Sequence, residues 1–373
     1  MKFIVAAPEL LEHLTRVSGA IVSKPVLPIL DNFLFDIKGG NLTISTTDLE
    51  TSMSTSLKVE SKDDILVAIP SKLLIETVKM LNDQPITFTV NEDTYGIELS
   101  TSYGRYKLAG QSGADFPKVP EIDSENSFAM PSNVMLRCIS KTIFATGNDD
   151  LRLNLTGVFV ELSPESVNFV ATDANRLVKL TRTDIKPGLE HNFILPKKAL
   201  NLLKSSLNND VTPIQIDFNK SNVFFTTDSM KLSCRLIDEK YPDYKAVIPQ
   251  DNNNIVGINR IDFLETVKRV ANFSNKTTHQ IRIKITGHEL AASAEDIELA
   301  NEANEKRTCE YDGEDIEIGF NSKFLLELLS NVDHDSVKLK LSTPNRAGLL
   351  LPQENEADEE VVMLVMPMML NNY

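Results

Sequence analysis

Apolar and polar residues alternate along this chain in short strand-like runs, and several of these runs lead directly into a segment with helical spacing. The clearest examples are ILVAIPSKLLIETVKML (65–81), NFILPKKALNLLKSSL (192–207) and IEIGFNSKFLLELLSNV (316–332). In each, the first apolar run predicts a strand, and apolar residues three and four positions apart then predict the inward face of a helix. The pattern therefore predicts a strand followed by an amphipathic helix at three places.

These strand–helix pairs recur at a nearly constant interval. Pro70, Pro196 and Asn321 occupy the same place in each pair, 126 and 125 residues apart. Three further segments recur 125 and 123 residues apart at their aspartates, which are Asp48, Asp173 and Asp296. Because one third of the 373-residue chain is close to this interval, the sequence predicts three copies of one structural unit.

A weaker symmetry divides each unit in two. FIVAAPELL (3–11) resembles LVAIPSKLL (66–74), and both are followed by further alternating segments. We therefore predict a β-α-β-β-β half-unit that occurs six times, which gives an α+β protein with long antiparallel sheets. Two polar, proline-containing segments, 117–127 and 241–254, predict linkers, and they place domain boundaries at 1–122, 123–250 and 251–373.

The segment VVMLVMPMMLNNY (361–373) is strongly apolar, whereas chain ends are usually polar. An acidic run, ENEADEE, lies just before it. The alternation of Val361, Met363 and Val365 predicts a last core strand that completes the third repeat.

Composition excludes several classes of protein. The net charge of −15 indicates a soluble protein and argues against a generally basic nucleic-acid coat. The apolar run at residues 3–7 is too short for a signal peptide, and no run approaches the ~18 residues of a membrane helix. Three separated cysteines, Cys138, Cys234 and Cys309, predict buried free thiols in a reducing cytoplasm.

Positive charge is concentrated in the predicted helices. Their summed formal charge is +6, which leaves −21 for the rest of the chain. The segments are 8–19, 71–81, 132–144, 196–207, 260–273 and 321–330. A chance distribution of charge explains this difference as well as a functional surface does, because exposed helix faces commonly carry lysine. The alternative is that six equivalent helices present a weakly basic surface to the phosphates of a nucleic acid.

The repeats, their spacing and the apolar tail together resemble the bacterial sliding clamp family, the beta subunit of DNA polymerase III. The motifs that carry this resemblance are SGAIVSKPVLPIL (18–30), TTDLE (46–50), ADFPKV (114–119), ATDANRL (171–177), LPKK (195–198), YPDYKAVIP (241–249), IGFNSKFLLELL (318–329) and VMPM (365–368). The resemblance extends over the whole chain.

The resemblance implies three domains of the DNA-clamp fold and a head-to-tail dimer that closes into a ring. Helices would line the hole around double-stranded DNA, and sheets would form the outside. It implies a non-catalytic processivity factor without cofactor or metal. Its partners would be the replicative polymerase, the clamp loader and repair proteins, which bind through short peptides; no membrane is implied.

The resemblance also assigns residues to three surfaces. The partner-peptide cleft would contain Leu155, Thr172, Asn175, Arg176, Leu177, Pro242, Val247, Leu364, Val365, Met366, Pro367, Met368 and Met369. The DNA contacts, which the helix charges also suggest in part, would be Lys24, Lys72, Arg105, Arg137, Lys141, Arg152, Lys197, Lys198 and Arg282. The dimer interface would contain Met80, Leu81, Arg105, Lys107, Leu108, Phe273, Glu302 and Glu305.

The chain departs from the family pattern at several of these positions. Ala174-Asn175 replaces the commonest pair, Gly-His, and Ala246 and Met369 stand where a basic residue is common. These changes make the cleft less charged. Leu153-Asn154 replaces an aromatic pair that contacts DNA in some members, and Lys24 replaces an arginine, which keeps the charge but loses the forked guanidinium.

The sequence leaves two alternative functions. Asp48, Asp173 and Asp296 are candidate metal ligands of a nuclease, but an aspartate after a strand commonly caps a turn, and three copies a domain apart do not meet at one metal. The five histidines form no zinc pattern, and no GxxxxGK[ST] loop is present. A peptide-binding scaffold that never encircles DNA is the other alternative, and DNA topology distinguishes it from a ring.

Overall fold

The computed structural model of the chain describes residues 1–122 and 124–370. Within this range it contains 27 strands and seven α-helices. None of the helices in the described part of the chain has the length and apolar content needed to cross a membrane.

The predicted β-α-β-β-β half-unit is confirmed, and it occurs six times. The first third of the chain contains β1 (Lys2–Ala6), α1 (Ala7–Val17), β2 (Asn32–Lys38), β3 (Asn41–Thr47), β4 (Thr51–Lys58), β5 (Glu60–Ser61), β6 (Ile65–Pro70), α2 (Ser71–Lys79), β7 (Pro85–Val90), β8 (Gly96–Ser100), β9 (Arg105–Ala109) and β10 (Gln111–Ser112). The middle third contains β11 (Asn126–Pro131), α3 (Ser132–Thr142), β12 (Gly157–Ser163), β13 (Ser166–Thr172), β14 (Arg176–Arg182), β15 (His191–Pro196), α4 (Lys197–Ser206), β16 (Pro213–Phe218), β17 (Asn222–Thr226) and β18 (Lys231–Arg235). The last third contains α5 (Tyr244–Val247), β19 (Asn254–Asn259), α6 (Arg260–Ala271), β20 (Gln280–Thr286), β21 (Glu289–Asp296), β22 (Asn301–Thr308), β23 (Ile316–Asn321), α7 (Ser322–Ser330), β24 (Ser336–Leu341), β25 (Gly348–Pro352), β26 (Glu359–Val365) and β27 (Pro367–Met368).

The chain forms two compact units, and each contains two antiparallel sheets. The first unit comprises Met1–Leu136 with Lys198–Leu236. One of its sheets has the order β5-β1-β7-β8-β9, and the other has the order β10-β6-β2-β3-β4-β18-β17-β16-β11. In the larger sheet β4 pairs with β18, so strands from the first and middle thirds share one sheet.

The second unit comprises Arg137–Lys197 with the chain from Ile237 onward. Its larger sheet has the order β15-β12-β13-β14-β26-β25-β24-β19, and its smaller sheet has the order β22-β21-β20-β23-β27. Here β14 pairs with β26, which joins the middle and last thirds in the same way. Because the middle repeat contributes strands to two sheets, the compact units do not coincide with the sequence repeats, and the boundaries at residues 122 and 250 stay predictions.

The helices begin where the sequence places a cap or a proline. Pro8 lies in the first turn of α1, where its missing N–H removes no helical hydrogen bond. The side chains of Asn259 and Asn321 accept backbone N–H groups at the starts of α6 and α7, at 3.0 Å in both cases. Such caps satisfy amides that have no partner within the helix.

Each helix buries one apolar face against a sheet. In α2, Leu74 and Val78 are buried whereas Lys72 is exposed, as the spacing predicts. Phe3 and Phe88 stack with their ring centroids 4.6 Å apart in the core of the first unit. The three cysteines are buried and unbridged, which confirms the predicted free thiols.

The segment 241–254 is not a free linker. Tyr241 stacks on Phe159 with ring centroids 4.6 Å apart, Tyr244 begins α5, and both tyrosines are buried. Aromatic burial of this kind contributes strongly to packing. Proline and charged residues beside the tyrosines make the sequence look like a loop. By contrast, residues 117–122 form neither helix nor strand.

Candidate functional site

The candidate cleft lies within the second unit and begins at the tight turn between β13 and β14. Thr172 Oγ1 donates to Arg176 O at 2.6 Å, and Asp173 Oδ1 accepts the N–H groups of Asn175 and Arg176 at 2.9 and 3.0 Å. Ala174 has a φ of 76°. A residue with a side chain is strained in this left-handed region by ~1–2 kcal/mol, and the side-chain hydrogen bonds of the turn offset that cost.

The same turn recurs in the first unit. Asp48 Oδ1 accepts the N–H groups of Glu50 and Thr51 at 2.9 and 2.6 Å, and Leu49 has a φ of 81°. Asp296 receives the N–H of Leu299 at 3.3 Å. These repeated aspartates are therefore turn caps. No cluster of three or more metal-ligating side chains occurs in residues 1–122 and 124–370.

Arg176 fixes this turn against helix α7. Its Nε donates to Asp173 at 3.1 Å, its Nη2 donates to Phe144 O at 2.9 Å, and its Nη1 makes a short ion pair with Glu327. The guanidinium also stacks over the ring of Phe324 at 5.0 Å. Since every nitrogen of this buried arginine has a partner, its role is to position the turn rather than to reach freely into the cleft.

The apolar tail forms a core strand and continues into the candidate cleft. Val361, Met363 and Val365 are buried along β26, which confirms the predicted strand. Beyond it, Met366 donates its backbone N–H to Asn175 O at 2.8 Å, and the following Pro367–Met368 strand pairs with β23. The last three residues of the tail, 371–373, lie outside the described part of the chain.

The predicted cleft residues divide into a buried floor and an exposed rim. The floor residues are Leu155, Thr172, Arg176, Leu177, Leu364 and Val365. Pro367 and Met368 are half-buried. The exposed rim residues are Asn175, Pro242, Val247, Met366 and Met369. Met366 is 41% exposed and Met369 is 81% exposed, which is unusual for such large apolar side chains. An exposed apolar patch beside polar residues is typical of a partner site.

The sequence prediction missed the aromatic support beneath this rim. Tyr241 and Tyr244 belong to the buried cluster that also contains Leu177, Leu349 and Leu364. Burial raises the pKa of both tyrosines well above its ordinary value. A signal is present in YPDYKAVIP, whose two tyrosines are three residues apart, although the proline and charged residues of this segment predict a linker.

A partly buried hydrogen-bond group holds α5 on the sheet. Tyr244 Oη donates to Glu161 at 2.6 Å, and Lys245 Nζ donates to the same carboxylate at 2.7 Å. Burial by itself would raise the pKa of Glu161, but the hydrogen bonds from Lys245, Tyr244 and Asn168 outweigh it and hold this pKa below its ordinary value. The carboxylate thus stays charged and fixes α5, which carries Val247 of the rim.

The predicted DNA contacts fall into groups of different accessibility. Lys24 and Lys72 are exposed in the first unit. Lys198 is paired with Asp48, Arg152 is paired with Asp149 at 2.9 Å, and Lys197 donates to Asn148 at 3.0 Å. The three basic side chains are exposed or half-buried, so they can exchange these partners for phosphate contacts.

Arg137 and Lys141 are held in internal ion pairs. Arg137 bonds Glu359 at 2.5 and 2.7 Å and Asp333 at 2.8 Å. Lys141 is 8% exposed and bonds Asp333 at 2.6 Å. These pairings leave little free positive charge on α3, because the formal charges that we counted there are neutralised by acidic residues. Neither residue is included in the DNA surface proposed below.

Arg105 and Arg282 lie on strands and not on helices. Arg282 alternates with the buried Ile281 and Ile283, so it lies on the face of its sheet that is turned away from the core, where it pairs with Glu317. Arg105 lies on β9, near Glu98 at 3.9 Å. The charge analysis of the helices therefore does not support these two residues as DNA contacts.

The predicted dimer residues surround two open sheet edges, one in each unit. Neither β9 nor β22 has a partner on its outer side within the described residues. Met80 and Phe273 are exposed near the ends of α2 and α6, at 82% and 43%, whereas Leu81 and Leu108 are buried. Glu302 is exposed on β22, whereas Glu305 faces α6 and is bonded twice by Arg269, at 2.7 and 2.8 Å.

Comparison with known proteins gives one consistent family. Models of the N-terminal, central and C-terminal domains of the DNA polymerase III beta subunit match residues 1–120, 129–243 and 245–369. The chain is 29% identical to the beta sliding clamp of Haemophilus influenzae over 372 residues, covering 99% of this chain and 100% of that one.

Solved structures agree with the sequence relatives. The chain is similar to a crystal structure of the Pseudomonas aeruginosa DNA polymerase sliding clamp with a ligand, with a TM-score of 0.94, 29% identity, and coverage of 99% of this chain and 100% of that one. A second Pseudomonas aeruginosa sliding-clamp structure, bound to griselimycin, gives a TM-score of 0.93 at the same identity and coverage.

Proposed function

The chain belongs to the DNA polymerase III beta subunit family of sliding clamps, and from this premise we propose that it encircles double-stranded DNA as a head-to-tail dimeric ring. It catalyses no reaction and needs no cofactor. It tethers the replicative polymerase, and it receives the clamp loader and repair proteins through short peptides. We place it in the cytoplasm, where bacterial DNA is replicated. We further propose that its three clamp domains comprise residues 1–122, 123–250 and 251–373.

The observation that carries this proposal is the pair of complementary open strands. Numbered in chain order, the six half-units end in β4, β9, β14, β18, β22 and β26. The two junctions within the chain, β4–β18 and β14–β26, each pair the last strand of an odd-numbered half-unit with that of an even-numbered one. The remaining odd strand is β22, the remaining even strand is β9, and both are sheet edges. Pairing β9 of one protomer with β22 of its partner repeats the same junction and, done twice, closes a ring.

The repeats also give a register for this pairing. Gln111 pairs with Ala68, two positions before Pro70, and Met368 pairs with Gly319, two positions before the equivalent Asn321. Gln111 and Met368 are therefore equivalent. Leu108 and Val365, each three positions earlier, are equivalent as well. Val365 pairs with Arg176, the residue that closes the turn begun by Asp173. In the last repeat Asn301 closes the turn, since it pairs with Asp296. Leu108 would therefore lie opposite Asn301.

This register places Lys107 directly opposite Glu302 of the partner chain. Arg105 would lie opposite Asn304, one diagonal step from the same glutamate. Opposite charges facing each other across antiparallel strands stabilise the pairing by roughly 0.2–1 kcal/mol. Met80 and Phe273, exposed at the ends of their helices, would supply apolar contacts nearby. Glu305, already bonded by Arg269, would support β22 from the other face.

Charge reversal tests the dimer. Lys107→Glu and Glu302→Lys should each weaken dimerisation about tenfold, because each creates like charges in both interfaces of the ring. The double variant should restore most of the affinity. Sedimentation velocity over a dilution series measures the change, with the exposed Lys220→Glu as a charge-matched control. A parent that stays at the 41.6 kDa chain mass at micromolar concentration would exclude the dimer.

A topological trap tests encirclement without a clamp loader. The protein is incubated with a linear duplex that is fixed to a bead at one end, and the free end is then blocked with biotin and streptavidin. A ring should resist washing at high salt while both ends are blocked, and a restriction cut should release it. Release by salt alone, with peptide binding intact, would favour a scaffold that binds partners but never encircles DNA.

We propose that phosphate contacts come from Lys24, Lys72, Arg152, Lys197 and Lys198. Neutralising Lys197 and Lys198 together should weaken binding equally for all DNA sequences. The slope of log affinity against log salt concentration should become less steep by about 0.9 for each lost phosphate contact. An unchanged slope in the same bead assay at low salt would remove this pair from the contact set.

A further inference from the structure

A second pocket adjoins the candidate cleft on the outer face of the larger sheet of the second unit. Its volume is about 450 Å³. Leu349, Leu351 and Val362 line it from β25 and β26, and Tyr244 and Ile248 line it from α5 and the residues that follow. None of the cleft residues named above lines this pocket.

Three lysines and one glutamate, Glu360, are among the polar residues that line this mixed pocket. Lys179 Nζ lies 3.2 Å from Glu360, and Lys245 Nζ lies 2.7 Å from Glu161. Lys340 has no ion-pair partner among the described residues. A locally basic site is notable on a chain with a net charge of −15. The exposed Glu360 can turn away from Lys179, since surface pairs of this kind are worth little.

The pocket lining also contains a buried acceptor without a donor. Asn252 is 6% exposed, and its Nδ2 donates to the carbonyls of Lys340 and Ala347 at 3.0 and 2.9 Å. These two bonds fix the orientation of the amide, because the opposite orientation would set oxygen against oxygen. Asn252 Oδ1 has no hydrogen-bond partner among the described residues. This oxygen has almost no solvent-accessible surface, so it helps to hold the pocket wall but does not face a ligand in the open pocket.

The cleft and the pocket share one floor. Leu364 pairs across the sheet with Leu177 on one side and with Leu349 on the other. Neighbouring strands are ~4.8 Å apart, so this row spans ~10 Å, or about three residues of extended peptide. Leu177 and Leu364 belong to the cleft, whereas Leu349 lines the pocket.

We propose that this pocket, residues Lys179, Tyr244, Lys245, Asn252, Lys340 and Leu349, binds an acidic flank of the partner peptide whose core occupies the cleft. The inference rests on the proposed peptide-binding function. The row of leucines places the pocket within ~10 Å of the cleft, and the lysines supply charge complementarity to Asp or Glu. The pocket then selects among partners that share the same core motif.

Peptides with one core and different flanks test this proposal. The core carries a glutamine and two apolar anchors, and the flank, placed at either end, is three Glu, three Lys or a Gly-Ser spacer. Fluorescence polarization with the full-length protein should show about fivefold tighter binding for Glu at one end, with the gain largely lost in 0.5 M salt. The Lys flank should give no gain.

Charge variants locate the effect. Lys179→Glu combined with Lys340→Glu should abolish the gain from the Glu flank but leave the Gly-Ser peptide within twofold. Glu360→Gln should increase the gain, because it frees Lys179. Lys220→Glu combined with Lys284→Glu, two exposed lysines that lie outside the larger sheet of the second unit, is the charge-matched control and should change the binding of neither peptide.

The outcomes separate the two proposals. If the parent does not bind the Gly-Ser peptide, the proposed peptide-binding function fails, and this inference falls with it. If the parent binds that peptide but gains nothing from a Glu flank at either end, only the pocket assignment is wrong. A gain that survives the double lysine variant would also overturn it, because the acidic flank would then bind elsewhere.

Discussion

Changing Met366 and Met368 together to alanine is expected to weaken binding of a clamp-binding peptide about a thousandfold while the protein stays dimeric. A few apolar anchors usually dominate a small interface, at ~2 kcal/mol or more each. Each 1.4 kcal/mol is a factor of about ten in affinity. Met366 is exposed at the rim and Met368 is half-buried beside it, so both side chains are available to a ligand. Methionine also adapts its shape to different partners.

The backbone of the cleft should survive this change. The Met366 N–H bonds Asn175 O, and Met368 pairs with Gly319 through main-chain atoms, which alanine retains. Deleting the tail from Met366 would remove that pairing and is therefore a poorer test. Met363→Ala is the contrasting variant: Met363 is fully buried, so it should cost ~2–5 kcal/mol of stability and affect binding only through folding.

Fluorescence polarization with a labelled clamp-binding peptide measures the affinity, and native mass of the same sample reports the dimer. A double variant that is dimeric and binds within a few-fold of the parent would show that the tail is only core. A double variant that becomes monomeric would show instead that the tail also supports the contact between chains, contrary to the interface proposed above.

Removing the carboxylate of Glu359 should destabilise the second unit by about 3–5 kcal/mol. This side chain is 1% exposed and bonds two arginines, Arg137 at 2.5 Å and Arg182 at 3.1 Å. The hydrogen bond to Glu359 is the largest influence that raises the pKa of Arg137. In Glu359→Ala both guanidinium groups keep their charge in a partly buried setting, and Arg137 loses its strongest partner.

Hydrogen exchange is the appropriate measurement, because a chain with two compact units need not unfold in one step. Amides of β14 and β26 should lose protection, and those of β2 and β3 in the first unit should not. Glu360→Ala, at the exposed neighbouring position, should change stability by less than ~0.5 kcal/mol. Replacing Arg137 and Glu359 together by methionine should recover most of the loss; no recovery would show that this ion pair is not the cause.

The sequence by itself determined the local structure and its repetition. Strand alternation, helical spacing and the prolines at helix entrances depend only on neighbouring residues, and they predicted all six half-units. The constant interval between Pro70, Pro196 and Asn321 likewise required no tertiary information. The alternation of Val361, Met363 and Val365 in β26 was also predictable, because side chains two residues apart lie on the same face of a strand.

Only the tertiary structure shows which residues that are distant in the sequence contact one another. In the sequence, Arg137 and Lys141 count as free positive charge. In the folded chain, Glu359 and Asp333, some two hundred residues away, neutralise them. Tyr241 and Tyr244 looked like loop residues until Phe159 was found beneath them. The floor shared by the cleft and the lysine-lined pocket likewise exists only because β26 lies between β14 and β25. Local propensity acts over a few residues, whereas charge neutralisation, aromatic burial and strand neighbours depend on what folding brings within a few ångströms, and one unaligned sequence carries no direct record of that.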